Sequence, residues 1–326
     1  CTTNTRAKSR PRPRSTGRFS TRAHSESGGD AVPTYVVDET PLDHPAGCWR
    51  LLVGTQRRPL PGVRAVEVSV PGVPGELAIV GEEVEPTTLG LTLGVYGRDA
   101  RGAPGGRRAL EANLEALAAV FDSSRRLLDV RWRVDELVER QAWAKVVAAS
   151  EPEVFNTAAF ARLSVVLRIP GVWWRDVPEE TSTWSTLLAD AAGPVPVGTL
   201  ADSSAPCGDA VFALEGGAMD HPYVVDVATG ARLTYAGTLT GSQRLVVDCG
   251  RMRAALVAPG EWSVETGSTV TGRVDVVGPG SDRGWLALTP AYAYGDPHAG
   301  DVRIRAGAVS AEAGAELSIR ARRAYR

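Results

Sequence analysis

A chain of 326 residues, 43% of them hydrophobic, is long enough for two ordinary domains, and its 35 glycines and 22 prolines mark a globular chain with many turns, not a low-complexity polymer. Its formal net charge of −2 argues against bulk nucleic-acid binding as a main role. No apolar run approaches the ~20 residues of a membrane-spanning helix, and no charged start followed by an apolar stretch and a small-residue cleavage site marks secretion.

Residues 1–33 form a basic, Ser/Thr/Pro-rich stretch. Arg6, Lys8, Arg10, Arg12, Arg14, Arg18 and Arg22 all precede the first acid, Glu26. Such a segment holds too little apolar surface to fold alone. It reads as a flexible arm whose cations either face solvent or contact an acidic partner surface. Aromatic interleaving is limited to Phe19, which weakens a single-strand nucleic-acid role.

Order is expected from Tyr35. Tyr35–Val37 and Trp49–Val53 read as strands across a Pro-containing loop. Val66, Val68 and Val70 alternate with Glu67 and Ser69, and Leu89, Leu91, Leu93 and Val95 repeat the period of two, so each run predicts a half-buried strand. Pro71-Gly72 and Pro74-Gly75 predict a sharp turn between them. Leu110, Leu114, Leu117 and Phe121 recur at helical spacing while Arg108, Glu111 and Glu115 face away, which predicts one amphipathic helix over about residues 107–121. Arg125-Arg126 follow it and suit the negative end of its dipole.

Leu128, Val130, Trp132 and Val134 then alternate with charged residues as an antiparallel strand, with Asp135-Glu136 at the turn and Arg140–Ala149 as its hairpin partner. Phe160–Ile169 is a further strand, ended by Pro170-Gly171. The first domain, residues 34–178, is therefore expected to be α+β, with one helix packed on an antiparallel sheet. Trp173 and Trp174, adjacent on a strand, would point to opposite faces, which favours core or subunit packing over sugar stacking. Pro178–Ser182 reads as a linker.

Residues 179–326 read as all-β. Short runs recur at Asp209–Leu214, Tyr223–Asp226, Leu233–Gly237, Arg244–Asp248, Ala254–Ala258, Trp262–Val264, Thr269–Val276, Trp285–Leu288, Asp301–Ile304 and Glu316–Ala321, separated mostly by Gly, Pro, Asp or Ser. That spacing predicts a β-sandwich or jelly roll with no helix after about residue 190. The fold class expected for the whole chain is mainly β.

Motifs that carry chemistry are missing. There is no G-x-S-x-G elbow, no H-E-x-x-H and no Walker loop, so no catalytic residue, metal ligand or cofactor is assigned and an enzyme is not expected. Gly278–Gly284 is Gly-rich but lies between strands, which makes it a turn. His24, His44, His221 and His298 are scattered and read as surface histidines. Glu82, Glu83 and Glu85, and Glu179 and Glu180, are acids of the type glycoside hydrolysis uses, but such runs read as solvated loops. Cys1, Cys48, Cys207 and Cys249 lack metal spacing and read as buried or incidental thiols; a Cys207–Cys249 disulfide stays open.

The succession LPGVRAVEVSVPGVPGELAIVGEEVEPTTLGLTLGVYGRD, GRRALEANLEALAAVF, LLDVRWRVDELVERQAWAKVVAASEP and FARLSVVLRIPGVWWRD resembles the distal tail protein family of long-tailed bacteriophages over roughly residues 47–177. LVVDCGRMRAAL, GRVDVVGPGSDRGWLALTP and LSIRARRAYR are similar in pattern to the galectin-like β-sandwich that follows in that family. The order of elements, and no single motif, carries the resemblance, and the basic arm departs from the family's compact start.

The resemblance implies a structural virion protein at the distal end of the tail, assembled in the host cytoplasm. It implies a hexameric ring formed through the first domain, joining the tail tube to the tip complex. Its partners would then be other copies of the chain, the tail tube protein, the tail hub or tail-associated protein and the tape measure protein, without membrane insertion or a direct nucleic-acid role. The arm would reach a neighbouring subunit or an adjoining tail protein through its seven cations. A competing reading is a carbohydrate-binding module for host cell-wall glycan, with Trp262, Trp285, Tyr292 or Tyr294 as stacking platforms; such residues at strand positions are more often core.

Overall fold

A computed structural model describes residues 35–56, 59–64, 83–133, 138–155, 159–185, 193–278, 284–292 and 299–326. The basic arm with its seven cations, Val66–Val70 and the turn after them, Asp135-Glu136, Tyr294, His24 and His298 lie outside the described residues.

The first half contains β1 (Tyr35–Val37), β2 (Thr40–Pro41), β3 (Trp49–Leu51), β4 (Val63–Arg64), β5 (Glu83–Val84), β6 (Thr87–Tyr96), helix α1 (Gly106–Val120), β7 (Leu128–Arg133), β8 (Glu139–Ala149), β9 (Glu153–Phe155), β10 (Phe160–Ile169) and β11 (Trp174–Asp176). Its large sheet runs β2-β1-β7-β8-β10-β6-β3, with β9 added to β10 and β11 to β8. β10 pairs with β6 along all ten residues, from Phe160↔Tyr96 to Ile169↔Thr87. Alternation fixes which face is buried: Leu89, Leu91, Leu93 and Val95 of β6 and Ala161, Val165, Leu167 and Ile169 of β10 all point into one core.

Leu110 and Leu117 put α1 on that same core face, with Leu114 half-buried beside them and Phe121 buried at the helix end. No side chain caps its N-terminus, in keeping with Gly105 there. Arg126 does not serve the helix end; it ion-pairs with Asp38 after β1, and the last turn holds no basic residue. Asn113 holds the helix to the sheet, its Nδ2 donating to the Tyr96 and Arg98 carbonyls at 2.8 and 2.9 Å.

The loop between β6 and α1 needs a glycine at Gly97. A Cβ there would stand 2.3 Å from the Gly106 carbonyl oxygen and 2.9 Å from Ala159 Cβ. Gly97→Ala is expected to cost about 3 kcal/mol through this overpacking. Gly171→Ala, where a Cβ meets nothing within 4 Å, should be near neutral; urea titration of the two variants checks both.

The two terminal strands of the sheet approach each other. Trp49 Nε1 on β3 donates to the Pro41 carbonyl on β2 at 3.0 Å, and the Leu51 N–H is taken by Asp43 Oδ1 at 3.0 Å. The 42–48 turn thus covers the edge of β3, while a proline interrupts β2.

The second half contains β12 (Glu180–Trp184), β13 (Val195–Pro196), β14 (Val211–Glu215), β15 (Met219–Asp220), β16 (Tyr223–Asp226), β17 (Arg232–Tyr235), β18 (Thr238–Leu239), β19 (Arg244–Asp248), β20 (Arg253–Val257), β21 (Ser268–Thr269), β22 (Val274–Val277), β23 (Arg303–Gly307), β24 (Ser310–Ala311), β25 (Glu316–Ala321) and β26 (Ala324–Tyr325). A sheet ordered β12-β25-β14-β19-β20-β21 and another ordered β13-β23-β16-β17-β22 share one core, where Phe212, Leu214, Leu245 and Ile319 meet Val224, Leu233, Tyr235 and Ile304. The only helical turns among the described residues of this half are short 3-10 turns at Gly198–Leu200 and Thr271–Arg273.

Several expectations are corrected. The stretch read as a linker, Pro178–Ser182, runs into β12, which pairs with β25 from Glu180↔Ala321 to Trp184↔Leu317. Its backbone supplies the pairing, so the polar sequence needs no apolar alternation. Trp262–Val264 and Trp285–Leu288 are not strands; Leu288 makes only an isolated bridge to Cys207. The Thr269–Val276 run is broken by the 3-10 turn. Cys48, Cys207 and Cys249 are free, buried thiols, so Cys207 and Cys249 are not joined. No helix of the described residues is long and apolar enough to cross a membrane.

Candidate assembly surface

Where the two halves meet, β26 leaves the second core and joins the first. It pairs with β11 (Trp174↔Tyr325, Arg175↔Ala324), and β11 pairs with β8. Asp176 is buried and accepts hydrogen bonds from Arg323 Nε and, at 3.2 Å, from the Tyr325 hydroxyl. The Arg140 guanidinium lies 3.7 Å from the Tyr325 ring centroid. Arg322 bridges both halves, donating to Gln141 Oε1 and to Asp209 Oδ2 at 3.2 Å each. Burial, with the Asp176 charge adding to it, pushes the Tyr325 phenol up. Cys207, beside this seam, has its thiol pushed up to about 12 by burial first and Asp209 second, so it stays a neutral, unreactive core group.

The seam leaves two clefts. One, of about 520 Å³, is lined by Glu139, Arg140, Asp176, Asp202 and Tyr325 among others. The other, of about 310 Å³, is lined by Gln141, Trp143, Trp173, Arg175, Asp209 and Arg322 among others. Asp176 pairs there with Arg323, and Asp209 with Arg322 and Arg175.

Beyond the second cleft the outer face of the large sheet is open. Trp143 and Val147 of β8 are 47% and 51% exposed, and Lys145 between them is exposed. Arg168 of β10 is exposed and is the direct cross-strand partner of Lys145. At the far end of β10, Phe160 stacks on Phe155 at 5.5 Å and lies 5.1 Å from Tyr96, with Phe155 49% exposed. Exposed aromatic and apolar side chains set among cations on one sheet face suit contact with another protein surface.

Of the residues expected as sugar platforms, Trp262, Trp285 and Tyr292 are among the described residues. Trp262 lies over the outer face of the six-stranded sheet against Val211, Ala213 and Val246, and the guanidiniums of Arg320 and Arg244 stand 4.2 and 4.5 Å from its ring centroid. Trp285 packs on the sandwich core. Tyr292 is half exposed, with Arg326 5.1 Å from its ring.

Among the described residues no group of three His, Cys, Asp or Glu side chains could hold a metal ion. His44 accepts the Ala46 N–H and lies 4.4 Å from the Trp49 ring, and His221 hydrogen-bonds Asp220. Asp226, fully buried, has its carboxyl pushed up by burial while bonds from Thr229 and Thr289 oppose that; it ties a turn to the 285–290 segment. Glu179 and Glu180 are exposed, and Glu82 lies outside the described residues.

Sequence reasoning placed β8 and β10 but missed the outer face as a surface. The signal was the parity of Trp143, Lys145 and Val147, which sets three outward residues against Ala142, Ala144 and Val146 turned inward.

No protein-family model matches the chain, and no curated protein matches it in sequence. The fold is similar to the crystal structure of the Dit protein of phage SPP1, described as a paradigm of the hub adsorption apparatus in phages infecting Gram-positive bacteria. That similarity has a TM-score of 0.53 at 13% identity and covers 88% of this chain and 97% of that one. A chain of the phage P2 baseplate in its calcium-activated conformation matches with a TM-score of 0.36 and 8% identity over 85% of this chain and 91% of its own, too distant to add to the fold assignment.

Proposed function

We propose that this chain is a structural, non-catalytic protein of a bacteriophage virion, placed at the distal end of the tail. Residues 34–178 form a hexameric ring that joins the tail tube to the tip complex, and residues 179–326 form a galectin-like domain carried by the ring. The observation that supports this best is the extent of the fold likeness, which runs through both halves of the chain and nearly all of a tail hub protein. The open sheet face with Trp143 and Phe155 fits a chain that buries surface against neighbours. Other copies of the chain, the tail tube protein, the tail hub protein and the tape measure protein are the partners this reading assigns, with the cations of residues 1–33 serving contact with a neighbour.

Light scattering with negative-stain imaging of the same fraction tests it. The expected result is a six-fold ring of six 34.4 kDa chains. A monomer at every concentration, with no ring on electron micrographs, would overturn the ring.

A glycan-binding role for the second half would have Tyr292 as an exposed platform among the described residues, since Arg244 and Arg320 already occupy the Trp262 ring. Binding on a glycan array that is lost in Tyr292→Ala would establish it.

A further inference from the structure

We infer that the outer face of β8 and β10 is one half of a head-to-tail contact between copies of this chain, and that the exposed flank of α1 on the next copy is the other half. The inference rests on the ring reading above and specifies the surfaces that close it.

The sheet side presents an unmet electrostatic need. Lys145 and Arg168 are Cα partners across β8 and β10, both exposed, and like charges placed directly opposite destabilise a sheet. Neither has a carboxylate partner among the described residues. Trp143 and Val147 on the same face are about half exposed, so the cations sit beside apolar surface that water solvates poorly. A partner that supplies carboxylates on a smooth apolar background would satisfy both.

The chain itself carries such a surface. On α1, Glu115 is exposed one turn from Glu111, itself paired with Arg107 at 2.6 Å, and Asp122 continues the same flank just past the helix end. Ala112, Ala116 and Ala119 beside them are exposed too, leaving the flank smooth beyond the exposed Arg108 at its N-terminal end. The Asp122 end of this flank coincides with the negative end of the helix dipole.

Geometry decides the kind of contact. Leu110 and Leu117 bind α1 to the core face of the sheet, so its exposed flank points away from the face that carries Lys145 and Arg168. Two surfaces on opposite sides of one layer pair cannot meet within a copy or in an isologous dimer. They meet only head to tail, which closes into a ring when the rotation between copies allows.

Charge reversal tests it in the full chain. Lys145→Glu with Arg168→Glu is expected to raise the concentration at which half the chains assemble at least about tenfold, as loss of close interfacial charge pairs does. Glu111→Lys with Glu115→Lys should do the same, and the four changes combined should restore assembly. Added salt should weaken the wild-type ring and the restored ring alike. Melting curves confirm that each variant is folded; should a reversal melt, Lys145→Gln with Arg168→Gln replaces it, with a smaller rise expected. Wild-type rings indifferent to both reversals, or four changes that leave folded chains unassembled, would overturn this contact and leave the ring reading standing. A wild-type chain that forms no ring would overturn both.

Discussion

Trp174→Ala should be among the most destabilising single changes in this chain, costing about 3–5 kcal/mol, a large share of the roughly 5–15 kcal/mol that holds a domain folded. Trp174 is 1% exposed and lies at the point where β11 meets both β8 and β26. Its ring stands 6.3 Å from Tyr35 and 6.2 Å from Trp132, so alanine would leave a cavity between three strands that pairing prevents from closing. Trp174→Phe separates shape from polarity. The indole Nε1 is buried without a hydrogen-bond partner, and removing it relieves a desolvation cost of about 1–3 kcal/mol that offsets much of the lost ring. Phenylalanine should therefore cost far less than alanine in a urea titration at unchanged m-value. Equal losses for both would mean that the indole N–H is satisfied in solution.

Asp176→Ala is the second. Its carboxylate takes bonds from Arg323 and Tyr325, both on the segment that returns from the second core. Removing it strands a guanidinium and a buried hydroxyl together, with an expected loss of about 2–4 kcal/mol. The effect should be local to the tie between halves. Calorimetry of the native chain is expected to give one transition, and of Asp176→Ala two, because each half keeps its own core. Asp176→Asn, which keeps an acceptor but no charge, should fall between them. A single transition at an unchanged temperature in Asp176→Ala would show that strand pairing alone couples the halves.

What could be read from the sequence follows from where the physics is local. Leu89, Leu91, Leu93 and Val95 could be placed because period-two burial on one face leaves a plain alternation, and Phe160–Ile169 was bounded by the proline that ends it. The helix showed itself through Leu110, Leu117 and Phe121. β12 hid because Glu180–Trp184 is an edge strand whose pairing rests on backbone groups, so its side chains carry no apolar signal. β26 hid for another reason: two residues make no pattern, and only the distant β11 turns Ala324–Tyr325 into a strand. The assembly surface needed the fold itself. Trp143 reads as an ordinary strand residue until the sheet shows that Gln141 is covered by Arg322 and Trp143 is not.

The return of β26 also sets an order of events. Trp174 and Tyr325 pair across roughly 150 residues of chain, a closure whose entropic cost is met only once the intervening sandwich holds its ends near one another. The seam is then expected to form among the last parts, outside the rate-limiting barrier. Substitutions at Asp176 should accordingly steepen the loss of the native state, raising the unfolding rate, while the rate of reaching it barely changes. Until the strand docks, β11 is an open edge beside an exposed tryptophan, and at high concentration that interval is when one chain can lend its β26 to another.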